Sequence, residues 1–357
     1  MISLSLVEII LRALPHSTLK FYDNDVFGSA LVPNQKGWFV STKKEYRNTV
    51  EVNSQGWPDI EHTQEKPEDI YRILILGDSF VENFQVPFEQ RFFRQLQNRL
   101  GEKYEVIALG RGNTGTGPQY LILKNYGLKY KPDLVLHMFF EGNDIKNNSP
   151  VLQNDPFLPY FVLENEESLV EIPSLTRKNR FLTRLKEFLL NFQIGEFLLS
   201  VRKSWIEEDQ VNSSGYPEEY HVYNNNYSQD YQKSWDVTKK LVLKTKELVQ
   251  ESGAQYVLVA IPANEQVYNS VQEKLIEIYP RFPLSKTDFA KPENILYQFC
   301  HNFNLDCLLT LDIFKNFANS NPSTPLYFLN DGHWTQEGVN LFAKTLYEKL
   351  ENYLITK

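Results

Sequence analysis

At 357 residues, with 42% apolar, 14% aromatic and 23% charged side chains, the chain holds enough apolar material for a sizeable core and too many aromatics for wholesale disorder. Its formal net charge of -8 excludes the clustered basic footprint that phosphate binding requires, so nucleic acid is set aside as a partner. The length admits one large domain with insertions or two modest ones.

The amino terminus, "MISLSLVEIILRALP", is apolar but short, and Glu8 and Arg12 interrupt it. It cannot cross a hydrocarbon core of roughly 30 Å, and it lacks the basic start and small-residue cleavage site of a secretory signal. Two readings stand: an amphipathic docking helix, or the last part of a membrane anchor. Location accordingly stays open between a membrane-associated, extracytoplasmic site and, with this terminus native, the cytoplasm. Residues 20–70 are polar and rich in turn formers, with β-like pieces in "GWFVST" and "NTVEVNSQGW". They read as a small preamble, so that 1–70 forms one unit and 71–357 the main domain.

From residue 71 strands and helices alternate. Strands are predicted over 71–77, 104–109 ("YEVIAL") and 133–140 ("DLVLHMFF"), with helices near 87–100 and 118–127. The rhythm weakens over about 145–230, which reads as an insertion, a lid-like segment over the carboxyl edge of the sheet. It holds a hairpin ("PYFVLENEESLVEIP"), an amphipathic helix ("FLTRLKEFLLNFQIGEFLLSVRKSW") and a loop rich in Tyr and Asn. A long helix over about 230–252, closed by Gly253, restores the pattern. A strand at 255–261, a helix near 292–303, a short strand near 306–311 and a final helix near 335–351 follow. This spacing implies an α/β fold with a central parallel sheet and right-handed crossovers.

Four fragments carry candidate chemistry. In "RILILGDSFVENF" an apolar run that reads as a central strand ends on Gly77, Asp78 and Ser79. A serine at such a turn can sit beside free backbone N–H groups and within reach of a base, although any tight turn favours the same residues. "GRGNTGTG" (110–117) matches the dinucleotide fingerprint, but it follows the second strand of the unit, and the acidic residue expected after the next strand is missing. A glycine-dense loop also lets backbone amides approach an oxyanion closely. "EGND" (141–144) offers the Asn143 amide at a strand exit, or simply an Asx turn. In "NDGHWTQEGVNLFA", Asp331 can orient His333 and fix its tautomer, just before a helix with Thr335 as its N-cap. The plain alternative is an exposed loop histidine.

The six histidines and two cysteines show no metal-ligand spacing, and neither a metal nor another cofactor is expected. Cys300 and Cys307 read equally as a single pair or as two buried thiols.

In this order and placement, the four fragments resemble the four signature blocks of the SGNH/GDSL hydrolases. The likeness covers 71–145 and 255–351, and the lead-in "VEVNSQGWPD…KPEDIYRILILGDSF" is similar to membrane-associated bacterial members. The resemblance implies a flavodoxin-like three-layer α/β/α sandwich and hydrolysis of a carboxylic ester through an acyl-enzyme. The partner would be a small-molecule, glycan or lipid ester. Ser79 would be the nucleophile, His333 the general base and later acid, and Asp331 its orienting partner. Oxyanion donors would be the backbone N–H of Ser79, that of a second-block residue, and the side-chain amide of Asn143. The chain departs from the pattern at the second block: alignment by its strand puts Asn113 where the family usually has glycine, with Gly112 just before it. Asn tolerates left-handed angles, so its N–H could still serve. An O-acyltransferase with the same triad acting on a glycan, and a silent assembly protein hinted at by Asn113, are the alternatives. Gly77 is expected to keep the approach of the ester carbonyl clear. Tyr216, Tyr220, Tyr223, Tyr227 and Tyr231 read as packing ahead of sugar stacking.

Overall fold

The computed structural model describes residues 17–165, 167–175 and 214–355. The amino-terminal segment and the helix expected over 181–205 lie outside the described residues.

Two antiparallel hairpins open the described part of the chain: β1 (Phe21–Asn24) with β2 (Gly28–Leu31), and β3 (Lys36–Val40) with β4 (Arg47–Glu51). The second pair coincides with the β-like pieces of the sequence. The first does not, because "FYDN" and "GSAL" carry Asp, Asn and Gly, which disfavour strands. It is held instead by Phe27, whose ring packs on Trp57 at 5.9 Å and on Tyr126 at 5.6 Å.

β5 (Tyr71–Gly77) leads into the single turn α1 (Ser79–Glu82) and then, after a 3-10 turn at Phe88–Gln90, into α2 (Phe92–Leu100). One helix was expected over 87–100. Arg91 breaks it with an extended backbone (φ -62, ψ 146), and its buried side chain explains the break. The guanidinium donates to the Pro58 carbonyl at 2.7 Å and lies over the rings of Phe84 and Phe88, while Asn83 Oδ1 accepts the first N–H of α2 at 3.1 Å. Local helix propensity yields here to a buried cation that needs a carbonyl.

There follow β6 (Tyr104–Gly110), α3 (Thr116–Asn125), β7 (Leu134–Phe140), α4 (Asp144–Asn147) and the hairpin β8 (Tyr160–Glu164) with β9 (Ser168–Ile172). After the insertion come α5 (Gln229–Glu251), β10 (Gln255–Ile261), α6 (Asn264–Val267), α7 (Asn269–Ile278), α8 (Lys291–Asn302), β11 (Cys307–Leu308), α9 (Leu311–Ser320) and α10 (Gln336–Ile355). Ser228 Oγ caps α5 by accepting from Tyr231 N, and Gly253 leaves it at φ +83. The strand expected over 306–311 shrinks to two residues at the sheet edge. Leu311, Phe314 and Ala318 instead form the buried stripe of α9, whose i, i+3, i+7 spacing marks a helix.

β11, β10, β7, β5 and β6 lie side by side in one parallel five-stranded sheet. Counted within the sheet, the order is second, first, third, fourth, fifth, the flavodoxin-like doubly wound arrangement. Alternate residues serve opposite layers. Ile73, Ile75, Val106, Leu136 and Val259 share a core with α2, α9 and α10, and Leu74, Leu76, Leu109, Val135 and Leu258 share one with α3, α5 and α8. Phe27, Ala30 and Trp57 of the preamble join the second core. His137 is part of it too: its ring hydrogen-bonds Tyr256 and Gln119, and burial pushes it down to about 3, so it is a neutral core group.

The insertion packs Phe161 against Gly117, Tyr120 and Leu241. Tyr216, Tyr223 and Tyr231 are buried and Tyr220 and Tyr227 partly so. Hydroxyls of these rings bond within the core, as from Tyr231 to the Glu218 carbonyl and from Tyr223 to Glu265, which makes them packing residues. Cys300 and Cys307 are joined in a disulfide between the end of α8 and β11.

Candidate active site

β5 lies between β7 and β6, so the loops leaving its two neighbours flank the turn that leaves β5 itself. The strand order reverses at this point, and open α/β sheets hold ligands there. α1 can fold back onto the strand ends only because two residues lack a side chain. A Cβ on Gly110 would stand 2.3 Å from Glu82 N and 2.6 Å from the Val81 carbonyl carbon. One on Gly77 would stand 2.5 Å from Val81 Cγ2 and 2.9 Å from Met138 Cβ. The expectation for Gly77 is thereby corrected: the space it spares is needed by α1 and β7, not by an incoming ester.

Asp78 Oδ1 accepts the Phe80 N–H at 2.9 Å and so caps the turn that presents Ser79. Ser79 is half-buried, and its Oγ lies 2.8 Å from His333 Nε2. His333 Nδ1 is 2.6 Å from Asp331 Oδ1. A carboxylate can only accept, so Nδ1 donates to it, and Nε2 is left facing the serine hydroxyl. Phe80 supports the imidazole at 4.9 Å between ring centroids. The loop is closed by Phe328 N donating to the His333 carbonyl at 2.8 Å, with Gly332 at φ +81. Thr335 Oγ1 accepts from Gly338 N at the start of α10. Burial presses the Asp331 carboxyl upward, but the hydrogen bond and charge of His333, with a further bond from Tyr46, hold it below the usual range.

The remaining expected residues surround this turn. Arg111 N donates to the Gly77 carbonyl at 3.0 Å, and the Cβ position of Gly112 is 3.5 Å from Ser79 Cβ. Asn113 takes the left-handed conformation at φ +62, and its Oδ1 accepts from Gln153 at 2.9 Å. Asn143 flanks α4, and its Oδ1 accepts from Asn147 at 3.3 Å, which directs its amide nitrogen elsewhere. Among the described residues, neither the backbone N–H of Ser79, Gly112 or Asn113 nor the Asn143 amide nitrogen donates to another protein group.

Some residues of this neighbourhood escape sequence reasoning. Glu82 is buried and paired with Arg111, which also donates to the Ser29 carbonyl and lies 4.8 Å from the Phe21 ring centroid. Asp144 is buried behind Asp78. Burial and the Asp78 charge push its carboxyl well up, and burial lifts Asp78 to about 6. Asp78 and Asp144 stood in quoted motifs as turn formers, and nothing local marked them as a buried pair. Tyr46, which donates to Asp331, carried no signal at all. Among the described residues no group of three or more His, Cys, Asp or Glu could hold a metal ion, and no helix is long and apolar enough to cross a membrane.

No family model matches the chain, and no curated protein matches it in sequence. Among solved structures it is similar to an acetyl xylan esterase, at 14% identity over 78% of this chain and 98% of the other, with a TM-score of 0.44. A carbohydrate acetylesterase family member from Sinorhizobium meliloti aligns at 13% identity over 79% and 97%, with a TM-score of 0.38. A GDSL-like lipase from Bacteroides thetaiotaomicron aligns at 10% identity over 82% and 93%, with a TM-score of 0.40.

Proposed function

We propose that the protein is a serine ester hydrolase of the SGNH/GDSL type, acting on an acyl or acetyl ester of a carbohydrate or lipid. The observation that carries this reading is the unbroken hydrogen-bonded series Ser79–His333–Asp331, with links of 2.8 and 2.6 Å, set beside N–H groups that have no acceptor in the protein.

In this mechanism the Ser79 hydroxyl attacks the ester carbonyl carbon as its proton passes to His333 Nε2. Asp331, ionised and fixed against Nδ1, stabilises the imidazolium that forms. Negative charge gathers on the carbonyl oxygen, where the N–H of Ser79, that of Gly112 or Asn113, and the Asn143 amide are the donors; one such donor is worth roughly 3 to 4 kcal/mol. As the carbon–oxygen bond to the alcohol breaks, His333 returns the proton to the leaving oxygen. Water, deprotonated by the same nitrogen, then cleaves the acyl-enzyme and releases the acid and Ser79. The departure at Asn113 is compatible with this role, since its left-handed angle is one that Asn adopts with little strain. The Cys300–Cys307 bond fits an oxidising, extracytoplasmic compartment.

The test pairs a fluorophosphonate probe with an ester panel graded from acetyl to long acyl. Labelling of the wild type and not of Ser79→Ala is expected, and absence of labelling in both would leave a silent assembly protein as the better reading. Acetyl preference would assign carbohydrate deacetylation, and rates rising with chain length a lipid ester. Product analysis with and without a sugar acceptor separates hydrolysis from transfer.

A further inference from the structure

We propose that Tyr46, from the amino-terminal preamble, is a positioning residue of the reaction: its hydroxyl donates to Asp331 Oδ1 at 3.1 Å and fixes the carboxylate that in turn fixes His333. The inference rests on the triad reading above and adds a fourth link, contributed from a part of the chain 285 residues away.

The contact is built, not incidental. The Tyr46 ring packs against Phe328 at 4.9 Å and Phe39 at 6.1 Å, so the hydroxyl is aimed by apolar contacts on two sides. Its neighbour Glu45 accepts from the Asn330 backbone N–H at 3.1 Å and from its side-chain amide at 3.2 Å. The turn between β3 and β4 therefore grips both Asn330 and Asp331. The same hairpin is anchored on the serine side of the site. Phe39 packs on Phe84 at 5.0 Å, and Asn48 donates to the Phe84 carbonyl at 3.0 Å, just beyond α1. Ser79 and His333 stand 254 residues apart in sequence, and this hairpin ties the loops that carry them to one another.

The chemistry suits a donor. Burial and the charges of Asp331, Glu45 and Glu82, the charged groups that face it, raise Tyr46 far above its ordinary range, so it keeps its proton wherever the triad works. Asp331 Oδ1 thus accepts from two sides, from His333 Nδ1 and from the tyrosine hydroxyl. The second bond keeps the carboxylate ionised and limits its rotation, at the cost of dividing its charge between two donors.

Tyr46→Phe removes the hydroxyl and keeps the ring. With an activated acetyl ester, kcat is expected to fall about 10-fold, the scale of one hydrogen bond to a charged group, while KM and the melting temperature hold. The acid limb of kcat/KM is expected to move to higher pH, because Asp331 then gives its undivided charge to the imidazolium. In an Asp331→Asn background the same change is expected to cost nothing further, since residues acting through one another are not additive. Wild-type kcat, a fall in kcat with the acid limb unmoved, or an undiminished loss in the Asn background would each overturn the assignment and leave Tyr46 as packing. Ser79→Ala, assayed alongside, separates the two readings. If it retains turnover the triad itself fails, whereas a silent Ser79→Ala with a wild-type-like Tyr46→Phe removes the tyrosine alone.

Discussion

Buried charge sits at both ends of the central sheet and is treated in opposite ways. At the amino end, where β5 and β6 begin, Arg72 is fully buried and donates to Glu105 at 2.6 Å and to the carbonyls of Tyr130 and Thr63 at 2.6 and 2.8 Å. Glu105 also meets His62 at 2.7 Å, the other nitrogen of His62 meets Asp59 at 3.2 Å, and Asp59 accepts the Ala108 N–H at 3.0 Å. At the carboxyl end Asp78 Oδ2 and Asp144 Oδ1 are buried with no hydrogen-bond partner, and several donors around Ser79 lack an acceptor. Unpaired buried polar groups cost stability, roughly 1 to 3 kcal/mol each, a cost that the carboxyl end carries at Asp78 and Asp144. The closed network ties the starts of β5 and β6 to the preamble through Arg72, Glu105, His62 and Asp59, whereas polar groups around the end of β5 stay unpaired within the protein.

The sharpest way to break this contrast is at the carboxyl end. Ser79→Ala is expected to lower ester turnover by about ten-thousand-fold or more, with the melting temperature unchanged. Turnover near the wild type would mean that the open polar groups serve something other than acyl transfer. Asn143→Ala is expected to reduce kcat about 100-fold with little change in KM, as for the loss of one oxyanion donor, and retained kcat would remove Asn143 from that role. The amino end should respond in stability and not in rate. Burial presses His62 downward, but Asp59 and Glu105 more than offset it and raise the ring to about 9. A raised pKa means that the folded state holds the proton more tightly. The stabilisation is complete below the unfolded value near 6.5 and is lost as pH rises through about 9, an effect on the order of 3 kcal/mol. Urea midpoints measured from pH 6 to 10 should fall across that window, and His62→Gln should flatten the fall while leaving kcat intact. A flat wild-type profile would show that this network is not the anchor argued for.

Residues at the carboxyl end were legible in the sequence to the extent that their neighbours in sequence are also their neighbours in space. "ILILGDS" announces a strand that ends in a turn, and Asp331 lies two residues from the histidine it orients. Arg91 was not legible as a helix breaker, because the Pro58 carbonyl that draws it inward belongs to the preamble. Nor was α9, because its first residue, Leu311, extends an apolar run that reads as a strand, while the sheet pairs only Cys307 and Leu308 of that run. The glycine at 77 was visible as a requirement, but the atoms that require it, on Val81 and Met138, appear only once the strands are side by side.

By itself the sequence determined the α/β alternation, which follows from periodicity, and it marked the turn at Ser79 and the neighbours Asp331 and His333 as candidates, since those partners lie a few bonds apart. Only the tertiary structure decided that Ser79 meets His333, that Tyr46 reaches Asp331 and that Asp78 and Asp144 are buried within reach of each other's charge. Those contacts join segments whose order in the chain says nothing of their distance: the winding of the sheet, with its reversal between β5 and β7, sets the loops after the strands side by side, and the β3–β4 hairpin packs across them.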